Sequence, residues 1–131
     1  MLTKILRVTP DMTLYEVAEL LLRKKISGAP VVDAMDRVLS VIGEGVTLRL
    51  AASEGLNTTL AQCLNKLTPA DKIVTLKKTH SFQDAYRAFL KYNIHRIPIV
   101  DGSGTLKGLI SRSTIFRIFV EAHHGKKISD P

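Results

Sequence analysis

The chain has 131 residues, of which 45% are hydrophobic, and it carries a formal net charge of +7. This hydrophobic content favours a compact globular fold and excludes intrinsic disorder, while the apolar runs are too short for a transmembrane helix or a signal peptide. The single cysteine, Cys63, cannot form an internal disulfide, so we expect a reduced, cytoplasmic setting.

The positive charge is concentrated in the later part of the chain. Residues 1–50 contain seven Lys or Arg and six Asp or Glu, a balance of +1. Residues 51–131 contain twelve and six, a balance of +6. This distribution favours an anionic partner such as a nucleotide, a nucleic acid or an acidic protein surface, and a solvated basic face is the alternative.

The sequence repeats with an offset of 68 residues. IleSerGlyAlaProValValAsp at 26–33 returns as IleHisArgIleProIleValAsp at 94–101, so that Pro98 follows Pro30 by 68 positions. No gap is needed to align the two copies between Ile5 and Ile118. A fixed period indicates two copies of one structural unit, packed together, with a ligand cleft expected at their joint.

The first copy begins with a predicted strand, Ile5–Val8, and a capping box formed by Thr13 and Glu16. The helix that follows has an apolar stripe consisting of Leu14, Val17, Ala18, Leu21 and Leu22. Two strands, Ala29–Val32 and Val38–Ile42, form a predicted hairpin around the turn at residues 33–36, and a closing helix begins near Gly43.

A linking helix capped by Thr58 or Thr59 is predicted to end at Thr68, before Pro69. The second copy then repeats the order, with a strand at Ile73–Leu76 and a capping box of Ser81 and Asp84. Its remaining elements are the helix stripe Phe82, Ala85, Tyr86, Phe89 and Leu90, the hairpin strands Ile97–Val100 and Leu106–Ile110, and a closing helix from near Ser111 that buries Ile115, Phe116, Phe119 and Val120.

The predicted fold class is therefore α+β, with two units of strand, helix, strand, strand and helix related by a pseudo-twofold axis. We expect the first repeat at residues 1–57, the linking helix at 58–68, the second repeat at 69–124 and a flexible tail at 125–131.

The pattern HisArgIleProIleValAsp, then a Gly-rich turn, then GlyLeuIleSer at a helix start resembles a CBS domain, the repeat named after the regulatory region of cystathionine beta-synthase. The resemblance covers about residues 3–122, and the second copy matches better. It implies a regulatory pair that binds an adenosine-containing ligand, such as AMP, ADP, ATP or S-adenosylmethionine, between the copies. It also implies a face-to-face homodimer through the helices, with Leu48 and Phe116 at or near the interface.

The resemblance further implies a Ser or Thr followed three positions later by a ribose-binding Asp. The second copy has Ser111 and Thr114 at these positions, and the first copy has Gly43 and Val46, so neither copy has the carboxylate. The ligand-binding residues expected in the second repeat are His95, Arg96, Ile97, Pro98, Ser111 and Thr114. Arg96 is suited to bidentate contact with a phosphate, which places the expected single ligand at the second repeat.

No nucleophile–base pair, metal cluster or redox cysteine pair is present in the sequence, so we expect neither an enzyme nor a cofactor. The predicted function is a stand-alone regulatory module that senses an adenosine-type nucleotide and acts on an effector protein that the sequence does not identify. The alternative is a ligand-free CBS pair that serves as a dimerisation or protein-interaction element. Nucleic-acid binding has only charge in its favour, because no recognition motif accompanies it, and no membrane partner is expected.

Overall fold

The computed structural model describes residues 5–124, without the side chain of His124, and these residues form five α-helices and two antiparallel hairpins. The elements are α1 Leu14–Lys24, β1 Gly28–Val32, β2 Val38–Gly43, α2 Glu44–Glu54, α3 Leu60–Cys63, α4 Phe82–Tyr92, β3 Arg96–Val100, β4 Leu106–Ser111 and α5 Arg112–His124. Two 3₁₀ turns, Leu64–Lys66 and Ala70–Lys72, lie between α3 and α4. The predicted α+β class is confirmed, and the tail predicted at 125–131 lies outside the described residues.

Both predicted capping boxes are present. The Thr13 hydroxyl accepts from the Glu16 amide at 3.1 Å, and the Thr13 amide donates to Glu16 Oε1 at 2.9 Å. Ser81 and Asp84 make the same two bonds at 3.3 and 2.8 Å. Each box satisfies two amides that a helix start would otherwise leave without partners, which explains why α1 and α4 begin 68 residues apart.

Backbone geometry repeats with the same offset as the sequence. Helices α1 and α4 end in left-handed residues, Lys25 with φ 56° and Asn93 with φ 48°. The hairpin turns contain Asp36 with φ 64° and, 68 positions later, Gly104 with φ 84°. Left-handed backbone is uncommon outside glycine, so finding it at paired positions indicates that the two copies share one fold in detail.

Each hairpin has an irregularity at the same place, between Val31 and Val32 in the first and between Ile99 and Val100 in the second. The strand predicted before each first helix is reduced to a single parallel bridge. Val8 donates to the Pro30 carbonyl at 3.0 Å and accepts from the Val32 amide at 2.9 Å.

Leu76 makes the matching bridge to Ile99 in the second repeat. The short length of these segments has a local cause in each copy, because the chain turns immediately after the bridge. The Met12 amide donates to the Thr9 carbonyl at 3.1 Å, and the His80 amide donates to the Lys77 carbonyl at 2.9 Å. In the first repeat Pro10 also has no amide N–H with which to extend a strand.

The two hairpins meet through their turns. The Val38 amide donates to the Gly104 carbonyl at 3.0 Å, and the Leu106 amide donates to the Asp36 carbonyl at 2.9 Å. The two bonds are related by the 68-residue offset, as a pseudo-twofold axis between the repeats requires. This junction fixes the positions of the two repeats relative to each other.

The linking helix is shorter than predicted and packs on the first repeat. Only Leu60–Cys63 is α-helical within the predicted span 58–68. Leu60 and Cys63 are fully buried with the core residues of the first repeat. Backbone bonds hold the segment, from the Leu60 amide to the Met12 carbonyl at 2.9 Å and from the Leu14 amide to the Thr58 carbonyl at 2.8 Å.

Four residues predicted to be buried in helix stripes are exposed. Leu22 is 81% exposed, and its counterpart Leu90 is 68% exposed. Each lies eight positions after the first stripe residue, a rotation of about 80° around the helix, which turns it away from the sheet. Phe116 is 74% exposed and Phe119 is 54% exposed, whereas Ile115 is buried. The stripe prediction was therefore wrong at these positions. Within one chain these side chains have no second layer of structure packed over them.

We predict that Leu60→Ala lowers the free energy of unfolding by about 2–5 kcal/mol, because it removes a fully buried side chain and leaves a cavity in the first-repeat core. Urea denaturation measures the change. Leu56→Ala is the matched control, since Leu56 is 50% exposed in the same segment, and it should cost under about 1 kcal/mol. Equal losses for the two variants would contradict the observed packing.

Candidate functional site

The beginnings of β1 and β3 face each other across the pseudo-twofold axis. Arg96 is the first residue of β3, and its side chain extends toward the start of β1. Its backbone pairs with Ser111 in the second hairpin, as Gly28 pairs with Gly43 in the first. Its side chain crosses to the first repeat, where Nη2 donates to the Ser27 hydroxyl at 2.7 Å. Gly28 is the residue related to Arg96 by the 68-residue offset. The Arg96 side chain therefore lies next to its own counterpart in the first repeat.

Gly28 makes this arrangement possible. A Cβ atom at Gly28 would overlap the Arg96 guanidinium carbon, and it would lie 2.7 Å from the Ile42 carbonyl oxygen. Gly43 is the second close neighbour, since a Cβ there would lie 3.4 Å from Arg96 Nη1. The absence of side chains at both positions leaves the guanidinium group room above the end of the first hairpin.

The electrostatic surroundings of Arg96 combine burial with charges of both signs. Burial lowers the pKa of the half-buried Arg96 guanidinium, Glu44 opposes this shift, and Arg112 reinforces it. The group remains charged because arginine does not lose its proton under ordinary conditions. Partial desolvation strengthens the attraction of the guanidinium group for an anion, because the effective dielectric is lower than in water, while the Glu44 carboxylate weakens it.

Arg96, His95 and Val41 lie where two cavities adjoin, and we call the combined space the central cleft. The first cavity has a volume of about 370 Å³ and is also lined by residues at the start of α2, including Gly43, Val46 and Arg49. The second has a volume of about 270 Å³ and is also lined by an aliphatic wall of Ile73, Val74 and Ile94 and by the polar residues Thr68, Lys72 and Asn93. The central cleft therefore has two guanidinium groups and one carboxylate on one side of Arg96, and an aliphatic wall with one lysine on the other.

The expected site residues separate into different surroundings. His95 is exposed, lines the central cleft, and has Nδ1 at 3.2 Å from Arg112 Nη2. Ile97 and Pro98 are fully buried, so they support the strand from behind and line neither cavity of the central cleft.

Ser111 and Thr114 form a hydroxyl cluster at the start of α5. Ser111 Oγ lies 2.8 Å from Ser113 Oγ and 3.2 Å from Thr114 Oγ1, and it accepts from the Thr114 amide at 3.3 Å. Ser111 therefore acts as an N-cap for α5. Thr114 lines a different groove on the second repeat and is absent from the lining of the central cleft.

Sequence reasoning missed the residues that the first repeat contributes to the central cleft, chiefly Ser27 and Arg49. One available signal was the offset itself, since Ser27 is the counterpart of His95. A second signal was the pairing of Arg96 with Gly28. When one position of a pseudo-twofold pair has a long side chain and the other has glycine, the long side chain has room to cross the axis. Among residues 5–124 no cluster of His, Cys, Asp or Glu could hold a metal ion, and no helix is long and apolar enough to cross a membrane.

The family model for the CBS domain matches residues 1–45 and 64–121, and the chain belongs to this family. It is 29% identical over 110 residues to inosine-5'-monophosphate dehydrogenase of Aquifex aeolicus, covering 84% of this chain and 21% of that enzyme. It is 31% identical over 113 residues to the uncharacterized protein MJ1232 of Methanocaldococcus jannaschii, covering 85% of this chain and 35% of that protein. The chain thus spans about a fifth to a third of the length of these relatives.

Solved structures share the fold. The crystal structure of CBSX2 in complex with AMP matches with a TM-score of 0.77 at 22% identity, covering 92% of this chain and 90% of that chain, and CBSX2 comes from Arabidopsis thaliana. The CBS domain pair of protein MJ0100, in complex with 5-methylthioadenosine and S-adenosyl-L-methionine, matches with a TM-score of 0.78 at 18% identity and covers 93% of each chain. These likenesses confirm the tandem CBS fold.

We predict that Gly28→Ala destabilises the protein by about 1–3 kcal/mol, because the added methyl group displaces the Arg96 side chain and presses on the Ile42 carbonyl. Gly102→Ala is the control, since nothing lies within 4 Å of a Cβ there. Adding Arg96→Ala to Gly28→Ala should recover part of the loss, which a double-mutant cycle of unfolding free energies detects. Strict additivity of the two changes would contradict the contact.

Proposed function

We propose that the chain is a regulatory module that binds one adenosine-type nucleotide in the central cleft. The observation that carries the proposal is the position of Arg96, a partly buried cation where a cavity lined by a second guanidinium group, that of Arg49, adjoins a cavity with an aliphatic wall. A nucleotide has the same division, with a flat, largely apolar base at one end and phosphate at the other. In this proposal His95 and Arg96 contact the ligand as expected from the sequence, whereas Ser111 and Thr114, which were also expected to do so, line neither cavity of the central cleft.

The phosphate end of the ligand would lie toward the start of α2. Arg96 and Arg49 are the guanidinium groups lining that cavity, and guanidinium groups bind phosphate through paired hydrogen bonds. Helix α2 adds the positive end of its dipole, and its N-cap, Gly43, makes no side-chain capping bond. The one carboxylate among the described residues lining this cavity, Glu44, would limit how much negative charge the ligand carries.

The base end would lie against Ile73, Val74 and Ile94, which give the second cavity its apolar wall. Two structural relatives support an adenine-containing ligand, since CBSX2 is complexed with AMP and the MJ0100 pair with 5-methylthioadenosine and S-adenosyl-L-methionine. The ribose would be held weakly. Val46, at the position where the resemblance implies a ribose-binding carboxylate, lines the central cleft and has no polar group.

A second role, self-association, is supported by the exposed apolar face of the helices. Leu22 and Leu48 line a cavity of about 400 Å³ on α1 and α2, and Leu90 and Phe116 line one of about 280 Å³ on α4 and α5. All four side chains are at least 68% exposed. Large exposed apolar patches mark interaction sites, and a patch with internal twofold symmetry suits a symmetric dimer. We propose a homodimer through this face, whether or not a ligand is bound.

For the nucleotide site, we predict that Arg96→Ala weakens AMP binding about tenfold or more while leaving adenosine binding nearly unchanged, because a charged hydrogen bond to phosphate contributes about 1.5–3 kcal/mol. Titration calorimetry measures both ligands. Arg23→Ala is the control, since it removes an exposed arginine outside the central cleft. If Arg96→Ala weakens AMP and adenosine equally, the phosphate has been placed at the wrong end.

Restoring a carboxylate distinguishes the two possible ribose positions. Val46→Asp should strengthen binding of ligands with a free ribose diol by about tenfold, because a carboxylate can accept two hydrogen bonds from the diol. Thr114→Asp should do so only if the ligand lies against the start of α5. Titration calorimetry with adenosine and 2'-deoxyadenosine decides between them. Strengthening by Thr114→Asp alone would move the site to the second-repeat helix.

For the dimer, we predict that Leu48→Asp combined with Phe116→Asp converts the protein to a monomer at tens of micromolar, because two buried carboxylates per chain oppose association. Light scattering measures the mass. Met35→Asp is the matched control, since Met35 is 68% exposed on a hairpin turn away from the helices. A wild-type protein that is already monomeric under these conditions would exclude the proposed interface.

A further inference from the structure

The second repeat has a groove that the first repeat fills with the linking helix. In the first repeat Leu60 belongs to the same buried core cluster as Val8, Leu14 and Leu50, which are 0%, 0% and 7% exposed. The groove on the second repeat, of about 180 Å³, is lined by the residues 68 positions later than these three, namely Leu76, Phe82 and Ile118. We call it the outer groove. It does not overlap the central cleft.

Exposure differs between the two copies of this surface. Ile118 is 38% exposed, against 7% for Leu50, and Phe82 is partly exposed where Leu14 is fully buried. The two repeats also differ in the residues that follow their closing helices, α2 and α5. Helix α2 ends at Glu54, and Gly55, with φ 94°, turns the chain back toward α1. The counterpart of Gly55 is His123, which is still helical within α5. The described residues after Ile118 therefore remain helical up to His124 and supply no counterpart of the Leu60 segment.

The first repeat shows how a segment binds such a groove. The linker presents the Leu60 side chain to the core and makes backbone bonds on both sides of it, from the Leu14 and Tyr15 amides to the Thr58 and Leu56 carbonyls and from the Leu60 and Ala61 amides to the Met12 and Pro10 carbonyls. The corresponding groups of the second repeat are the Phe82 and Gln83 amides and the His80 and Lys78 carbonyls.

The rim of the outer groove is basic. Lys77, Lys78 and His80 line it, together with Ser81 and Thr114, and it has no acidic lining residue among those the structure describes. In the first repeat the counterparts of Lys77, Lys78 and His80 are Thr9, Pro10 and Met12, so this charge is particular to the second copy. The start of α4 carries the Asp84 carboxylate in its capping box, so the positive charge of the rim comes from the lysine side chains. The surface therefore suits an apolar anchor flanked by carboxylates.

We propose that the outer groove is a docking site for a segment of a partner protein, which inserts one leucine-like side chain and carries acidic residues beside it. The apolar floor accepts the anchor as the first repeat accepts Leu60, and the lysines select for acidic flanks. Such a site gives the module a route to an effector that does not use the central cleft or the helix face proposed for the dimer. The proposal does not depend on nucleotide binding.

The chain's own segment 125–131 is the competing occupant, since Ile128 stands 68 positions after Leu60. Its neighbours argue against it. Lys126 and Lys127 take the places of Thr58 and Thr59, and Thr59 forms the capping box that starts α3. Lysine cannot accept the capping bond, and Lys126 and Lys127 would repel Lys77 and Lys78 if this segment occupied the outer groove. Asp130, the counterpart of Gln62, is the one acidic residue of this segment, so residues 125–131 keep a net charge of +1 and suit the basic rim less well than an acidic partner segment does.

The test uses the linker as a probe. A fluorescent peptide with the sequence of residues 55–62, and a second with Asn57→Asp and Gln62→Glu, are titrated into the full-length protein and followed by anisotropy. We expect the acidic peptide to bind at least fivefold more tightly than the neutral one. Ile118→Arg should abolish binding of both, and a third peptide with Leu60→Asp should not bind.

Matched charge variants locate the contact. Lys77→Glu with Lys78→Glu should remove the preference for the acidic peptide, while Arg23→Glu with Lys24→Glu, which changes the net charge equally on exposed residues of α1, should preserve it. Absence of binding up to millimolar peptide, or binding that survives Ile118→Arg, would overturn the proposal. Binding that appears only after residues 125–131 are removed would also overturn it, and would assign the outer groove to the chain's own segment. Circular dichroism confirms that each variant remains folded.

Discussion

The structure depends on one reciprocal contact, the pair of backbone hydrogen bonds between the two hairpin turns. The Val38 amide donates to Gly104 and the Leu106 amide donates to Asp36, at 3.0 and 2.9 Å. Both acceptor residues have positive φ, so the left-handed turn position in each hairpin is also the position that accepts the bond from the other repeat. The bonds hold two small sheets, each too small to be stable alone, in one fixed relation. The starts of β1 and β3 are thereby brought face to face, and the central cleft results from that arrangement.

The central cleft lies where the two repeats depart from their pseudo-twofold symmetry. At the axis the symmetric positions carry glycine in one copy and arginine in the other, and the Arg96 side chain uses the space that Gly28 leaves. Two arginines there would place like charges together in a partly buried site, which is costly. One arginine and one glycine give a single cation and room beside it. The same sequence difference therefore explains both the packing at the axis and the single guanidinium group that lies there.

The sequence was sufficient to predict the repeat, the hairpins and the helix starts, because each depends on local signals. The capping boxes at Thr13 and Ser81 and the turn residues after Asp33 and Asp101 act within a few positions. Leu22, Leu90 and Phe116 were predicted to be buried but are exposed. An apolar helix stripe does not reveal whether the surface that packs on it belongs to the same chain. The residues around Arg96 were only partly predicted, because a side chain that crosses a pseudo-twofold axis contacts Ser27, 69 positions away.

The linker shows how a tandem repeat becomes asymmetric without changing its fold. A segment that joins two like units must leave the first and enter the second, so it can cover an equivalent surface on only one of them. Here it covers the first repeat, where Leu60 and Cys63 complete the core. The second repeat keeps the same apolar surface with Ile118 partly exposed, and its rim has become basic at Lys77 and Lys78. The outer groove is therefore open because the linker packs on the first repeat only. Its basic rim comes from residues that are particular to the second repeat. A symmetric pair of folds therefore presents two chemically different ends.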